Sequence, residues 1–282
     1  MTSTHPTVTE RRARFRQLHE SGCFLIPNPW DVGSARYLQS LGFHALASTS
    51  SGSAFAHGRP DGGMPLVDVL EHLRTLVAAC DVPINADFED GHSATDDELA
   101  RNVASCIATG VAGLSIEDST GDAARPLYPF DEAVSRMRAA RAAIDASRQD
   151  VLLVGRAECF LTGHEKPLDE AIRRLVAYAA AGADCLYAPG VRSPSDIEAI
   201  VRAVAPKPVN VLVAWPSELT LQQLGEMDVR RVSVGGRLAG AAWGGFMAAA
   251  KALGEGRFDG FARNAPTREI DAFFRGDGAN RS

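Results

Sequence analysis

With 282 residues, 45% of them hydrophobic, the chain can bury a large core, and a formal net charge of −6 with no long basic block argues against a nucleic-acid-binding face. The first 20 residues are polar and Arg-rich, and the apolar runs fall far short of the roughly 18 residues a membrane span needs, so neither a secretory signal nor a membrane segment is expected. Five cysteines (Cys23, Cys80, Cys106, Cys159, Cys185) without a C-x-x-C pair suit a reduced, cytoplasmic protein.

The segment Arg11–Glu20 is amphipathic and predicts a helix ahead of the first strand. Strand-like runs follow at 23–27, 44–49, 83–89, 113–117, 151–157, 185–189, 209–213 and 231–235. They are continuously apolar rather than alternating, as strands buried on both faces of a parallel sheet are. Helical patterns lie between and after them at 31–41, 66–79, 95–109, 130–146, 168–181, 194–204, 219–226 and 238–252. Thr95 and Ser193 stand where N-caps are expected, and Gly42, Gly110 and Gly182 where C′ glycines are. Eight strands alternating with eight helices predict one domain over 1–282, a (β/α)8 TIM barrel with an N-terminal helix and extra C-terminal helices. No G-x-G-x-x-G follows an early strand, which disfavours a doubly wound dinucleotide fold. The tail 255–282 carries Phe258, Phe261, Phe273 and Phe274 at spacings suited to burial, either on its own barrel or exchanged with another subunit.

Charged residues gather where three of these strands end. Asp87 and Glu89 are two apart in Asn85-Ala86-Asp87-Phe88-Glu89-Asp90, so in a strand they project from one face. Glu117-Asp118 closes the fourth run, and Arg156 with Glu158 closes the fifth. Catalytic groups of parallel barrels occupy this C-terminal rim. Asp87, Glu89 and Glu117 are hard oxygen donors suited to Mg2+, with Mn2+ as an alternative; capping helices or pairing with arginines is the competing reading. Arg156 offers a planar fork for a carboxylate or phosphonate, or a structural ion pair with Glu117 or Asp87. The segment Thr49-Ser50-Ser51-Gly52-Ser53 reads as a loop whose hydroxyls and N–H groups suit an oxyanion, and Asp61 lies in the same connection. Asn210 contacts substrate or satisfies a buried partner; His57 and His92 are second-tier loop residues, and Tyr187 and Trp215 candidate pocket walls. Only Lys166, Lys207 and Lys251 stand against 26 arginines, and none ends a strand-like run, so a Schiff-base mechanism has no evident nucleophile.

Together these residues resemble the isocitrate lyase / phosphoenolpyruvate mutase superfamily. Pro27-Asn28-Pro29-Trp30-Asp31 through Ser34-Ala35-Arg36 is similar to its N-x-W-D-x-x-S-A signature, and Gly58-Arg59-Pro60-Asp61 to its G-x-P-D. Ala86-Asp87-Phe88-Glu89 resembles its metal motif, Gly113–Ser119 its G-x-x-I-E-D-S, and Gly155-Arg156-Ala157-Glu158 its A-R-T-D/E. The resemblance implies a Mg2+-dependent enzyme that makes or breaks C–C or C–P bonds beside an α-oxycarboxylate through a pyruvate-type enolate. By carry-over, Asp87, Glu89 and Glu117 hold the metal directly or through water, Ser51, Gly52 and Ser53 bind the pyruvyl carboxylate, Asp61 supports the metal-water shell and Arg156 binds the oxyanion. Asp61, Glu117 and Arg156 are the candidate catalytic residues, and Asn210 joins Arg156 as a candidate substrate contact. It also implies a homotetramer with exchanged C-terminal helices.

The gating segment departs from several branches. Ser119-Thr120-Gly121-Asp122-Ala123-Ala124-Arg125 contains neither the Cys and His of isocitrate lyases nor the full lysine–asparagine–threonine set that phosphonate mutases and hydrolases carry on a longer loop. The chain thus resembles the short-loop branch of oxaloacetate decarboxylase-like and carboxyphosphonoenolpyruvate phosphonomutase-like proteins. Cleavage of a C–C bond in a small 2-oxo or 2-hydroxy di- or tricarboxylate is the expected activity, and phosphoenolpyruvate/phosphonopyruvate mutase or C–P hydrolase chemistry the alternative.

Overall fold

The computed structural model describes residues 5–276, which fall into two compact units divided between Leu238 and Ala239. The division precedes position 255, where the sequence pattern suggests that the tail starts, and the end of that tail, 277–282, lies outside the described residues.

The first unit opens with helix α1 (Val8–Leu18), started by a capping box in which the Thr7 hydroxyl accepts from Glu10 N and the Glu10 carboxylate accepts from Thr7 N. Eight parallel strands follow: β1 (Phe24–Ile26), β2 (Leu46–Ala47), β3 (Ile84–Asp87), β4 (Gly113–Glu117), β5 (Leu152–Arg156), β6 (Cys185–Tyr187), β7 (Val209–Leu212) and β8 (Arg231–Ser233). Their order, β1-β8-β7-β6-β5-β4-β3-β2, makes a barrel, and Ala47 N donating to Pro27 O at 3.1 Å bridges the seam between β1 and β2. Every strand falls inside a predicted run. Buried Leu, Ile, Val and Ala on both faces account for their continuous apolar character.

Helices α2 (Val32–Ser40), α3 (Ser50–Ala56), α4 (Leu66–Ala79), α5 (Asp96–Ile107), α6 (Phe130–Ser147), α7 (Pro167–Ala180), α8 (Pro194–Val204) and α9 (Leu221–Glu226) connect the strands. Thr95 caps α5 as expected, its hydroxyl accepting from Glu98 N. Ser193 precedes α8 but pairs with the Ser195 hydroxyl at 2.7 Å instead of capping the helix. Gly182 sits at φ +104°, where a Cβ would also meet the Arg141 side chain, so only glycine fits the turn from α7 into β6. One expectation is corrected: residues 50–56 form α3 rather than a loop, with Thr49 as its cap.

The polar helix α1 is fixed by two buried residues. Phe15 packs among Ile26 and, at the N-terminal ends of β2, β4 and β5, Ala45, Ala112 and Leu152. The Arg12 guanidinium donates to the carbonyls of Val111 and Ile107, both at 2.9 Å. At the opposite end Asn28 accepts from Val234 N and Gly235 N, both at 2.9 Å, and donates to Ser48 O at 3.0 Å. The N-P-W-D motif therefore ties the strand ends around the rim of the site. The second unit comprises most of helix α10 (Arg237–Gly254), a 3-10 turn at Asp259–Arg263 and helix α11 (Thr267–Arg275).

Candidate active site

Pairing in register sets the end of β4 against the end of β5, so that Glu117 faces Arg156. The Arg156 Nη1 donates to Asp87 Oδ1 at 2.8 Å and lies 3.1 Å from Glu117 Oε2, while its Nε donates to Glu158 Oε1 at 2.6 Å. One guanidinium thus joins acids from β3, β4 and the loop after β5. Its plane lies over the Tyr187 ring, 5.1 Å from the centroid. Asp87 Oδ2 accepts from the first amide of α3, Ser50 N, at 3.0 Å. Of these groups Ser50, Glu117 and Arg156 border a cavity of about 290 Å³, whose walls also include Asp61, Glu89, Asp90 and His92.

The backbone turns sharply after β3: Glu89 and His92 adopt φ of +50° and +51°, values uncommon for residues with a side chain. The turn brings Glu89 Oε2 within 3.2 Å of His92 Nε2. Strand alternation sends the neighbours Glu117 and Asp118 to opposite faces. Asp118 accepts from Glu158 N at 2.8 Å, Arg174 Nη1 at 3.0 Å and Tyr178 Oη at 2.6 Å, behind the barrel wall.

Negative charge exceeds positive charge here. Burial raises the pKa of Glu117 well above the carboxylate range, with Arg156 opposing. Glu89 is pushed up to about 8, by burial first and then by Asp87, Asp61 and Asp90. Asp61 is raised too, chiefly by desolvation, against a hydrogen bond from Ser50. Among the described residues no three His, Cys, Asp or Glu side chains converge as a ready metal cage, because Arg156 sits between Asp87 and Glu117. The donor set nevertheless fits a hard divalent cation: carboxylate oxygens border one cavity, buried and crowded enough that Glu117, Glu89 and Asp61 all resist ionisation.

The structure brings Asp61, Glu89, Glu117 and Arg156 to the cavity; Asp87 is off its wall, bonded to Arg156 and lining a smaller void beside it. Ser51, Gly52 and Ser53 are not brought to the cavity. The Ser51 hydroxyl pairs with Thr49 Oγ1 at 3.1 Å, Gly52 N donates to the same capping oxygen, and the Ser53 hydroxyl is buried beside a second, smaller void that shares Ser50, Gly62 and Glu89 with the cavity and is walled by Asp87. A helix start replaces the expected anion-binding loop, and its Thr49 cap takes up the Ser51 hydroxyl and Gly52 N, while the Ser53 hydroxyl is left buried without a partner. Ser50 lines the cavity instead, and sequence reasoning missed it because S-S-G-S-A-F-A shows no helical apolar period. Asn210, only 1% exposed, spends its amide on Ser233 and Arg231. Asp90, the last residue of the acidic motif, also lines the cavity and accepts from Tyr128 Oη at 2.8 Å.

Residues 15–254 match the family model described as phosphoenolpyruvate phosphomutase. An uncharacterised protein, Rv1998c, of Mycobacterium tuberculosis H37Rv is 30% identical over 92% of this chain and 95% of its own length. An oxaloacetate decarboxylase of Rhodopseudomonas palustris strain BisB5 is 33% identical over 74% of this chain and 73% of its own. Among solved structures, a Burkholderia cenocepacia J2315 protein provisionally described as a lyase/mutase superposes with a TM-score of 0.91 at 42% identity, covering 95% and 97% of the two chains. An oxaloacetate acetylhydrolase in complex with oxalate gives a TM-score of 0.82 at 26% identity over 98% and 99%.

Proposed function

The chain belongs to the phosphoenolpyruvate mutase family, and from that premise we propose that it is a Mg2+-dependent lyase or decarboxylase cleaving a C–C bond of a small 2-oxo or 2-hydroxy di- or tricarboxylate. The observation that carries the reading is Arg156 held among Asp87, Glu117 and Glu158 at the edge of a 290 Å³ cavity, in a chain similar to oxaloacetate decarboxylases. Asp87, Glu89 and Glu117 would hold Mg2+, or Mn2+ in its place, and Asp61 would orient its water shell. When bound, the cation supplies positive charge against the enolate-like charge that develops as the bond breaks. Arg156 would bind a substrate carboxylate with the guanidinium N–H groups not committed to Asp87, Glu117 and Glu158, and Ser50, at the start of α3, offers a hydroxyl at the same wall.

Cytoplasmic residence fits five free cysteines, and no described helix is long and apolar enough to cross a membrane. A homotetramer with exchanged C-terminal helices is supported by the second unit's own surface, where Phe246, Met247 and Phe258 are 61%, 62% and 70% exposed. The test of activity is a panel of 2-oxo and 2-hydroxy acids with phosphonopyruvate, each with Mg2+ and with chelator, followed by NMR. Mg2+-dependent pyruvate or glyoxylate release supports the lyase. Phosphoenolpyruvate or phosphate from phosphonopyruvate would replace it with mutase or hydrolase chemistry.

A further inference from the structure

The turn that carries Glu89 out of β3 is strained. Glu89, Gly91 and His92 have φ of +50°, +80° and +51°, and a Cβ at Gly91 would stand 2.1 Å from Leu99 Cδ1. Backbone of this kind persists only where its surroundings over-determine it. Here the carbonyl of every residue from Phe88 to Ser93 accepts a hydrogen bond. Phe88 O accepts from Gly91 N at 2.8 Å, and Glu89 O from Glu117 N at 3.0 Å. The carbonyls of Asp90, Gly91, His92 and Ser93 are met by two side chains from the helices outside the barrel. Asn102 on α5 points its amide Nδ2 at Gly91 O, 3.0 Å away, and His92 O, 2.9 Å away, with one hydrogen for each. Arg136 on α6 donates through Nη2 to Asp90 O and to Ser93 O, the latter at 3.2 Å.

Packing alone does not call for either donor. Asn102 lies among Leu99, Val103 and Cys106 on the buried face of α5, and Arg136 among Ala133, Met137 and Ala140 on that of α6; the two are 8% and 2% exposed. A buried amide or guanidinium is costly unless its hydrogen bonds are made. Among the described residues, every hydrogen bond that the Asn102 and Arg136 side chains donate goes to this turn. Asp90 completes the hold. One of its oxygens accepts from His92 N at 2.9 Å and the other from Tyr128 Oη at 2.8 Å, and the Arg136 guanidinium lies 4.3 Å over the Tyr128 ring.

We propose that Asn102 and Arg136 are the positioning residues of Glu89, two buried donors on outer helices that hold residues 88–93 in the conformation that puts the Glu89 carboxylate on the cavity wall. Asp90, on the same wall, then serves the turn rather than a cation. The inference rests on the reading of Glu89 as a ligand of the divalent cation.

Two arms test it. Crystal structures of Asn102→Ala and Arg136→Met without added metal should show Glu89 out of its positive-φ conformation and its carboxylate off the cavity wall; an unmoved 88–93 backbone in both overturns the proposal. In the second arm, Mn2+ is titrated by electron paramagnetic resonance at a temperature where each protein is folded, so that no turnover enters the readout. Both variants should bind Mn2+ roughly tenfold to a hundredfold more weakly than wild type, the scale on which groups that orient metal ligands act. Unchanged affinity in both overturns the proposal, and Arg136→Lys, which keeps a donor, should recover part of what Arg136→Met loses. Arg12→Met is the control, because it removes a buried arginine that also holds backbone carbonyls, at the N-terminal end of the barrel. It should leave Mn2+ affinity at the wild-type level; a loss equal to that of Arg136→Met would make the effect one of stability alone and overturn the positioning role. If Arg136→Met fails to fold, Asn102→Ala, which deletes no charge, decides. A wild-type protein that binds no Mn2+ would count against the metal reading alone, and the crystallographic arm would still decide what holds the turn.

Discussion

Asp87, Glu117 and Arg156 could be singled out from sequence because each ends a strand, and the ends of parallel barrel strands share one rim. Ser50 and Asp90 could not, because their directions depend on a short helix and on a turn built from positive-φ residues. The identity of Arg156's partners also lay beyond the sequence, which left open whether it pairs with Glu117 or with Asp87; the structure has it bridging both. His19 yields a prediction at this scale. Its Nδ1–H donates to Phe15 O at 2.8 Å, leaving Nε2 toward Arg231, and burial followed by Arg231 lowers its pKa from 6.5 to about 3. The unfolded chain takes up that proton below 6.5 and the folded chain does not until about 3, so stability is complete above 6.5 and declines as pH falls through this window. Thermal melts of His19→Gln between about pH 7 and pH 4 should show a shallower loss than wild type. An unchanged slope would mean that His19 protonates freely in the folded protein.

All eight strands were legible as elements, because runs such as Val151–Val154 are too apolar and too short for anything but a strand buried on both faces. Helix α3 was not, since small and hydroxyl-bearing residues carry no period, and its identity comes from the Thr49 cap and the packing of Ala54. Element packing also separates acids that sequence adjacency confounds. Glu117 faces the cavity, whereas Asp118 ties β4 to α7 and to the loop after β5 through Arg174, Tyr178 and Glu158 N. Removing the 2%-exposed Asp118 carboxylate takes from buried Arg174 one of its two carboxylate partners, Glu170 at 2.8 Å remaining, and leaves the Tyr178 hydroxyl and Glu158 N without their acceptor. Asp118→Ala should therefore cost about 2–3 kcal/mol and lower the melting temperature by roughly 5 °C by calorimetry. A stable Asp118→Ala protein would show that this junction does not hold β4 in place.

At the scale of the whole molecule, the barrel was predictable from alternation alone, while the boundary at Leu238/Ala239 was not, because α10 continues the same helical pattern across it. The exposed Trp243, Phe246, Met247 and Phe258 of the second unit are unusual for a solvated surface, and light scattering should report a tetramer. Substituting Phe246 and Phe258 together by Ser should shift that mass downward, and a monomeric wild type would refute the exchange. The central claim is that acids at the ends of β3 and β4 serve a divalent cation in C–C cleavage, and oxaloacetate turnover by wild type and Asp87→Ala, each with Mg2+ and then with excess chelator, tests it most directly. Mg2+-dependent pyruvate release by wild type, abolished by chelator and absent from a folded Asp87→Ala protein, is the predicted result. Turnover that survives both chelation and the substitution would contradict it.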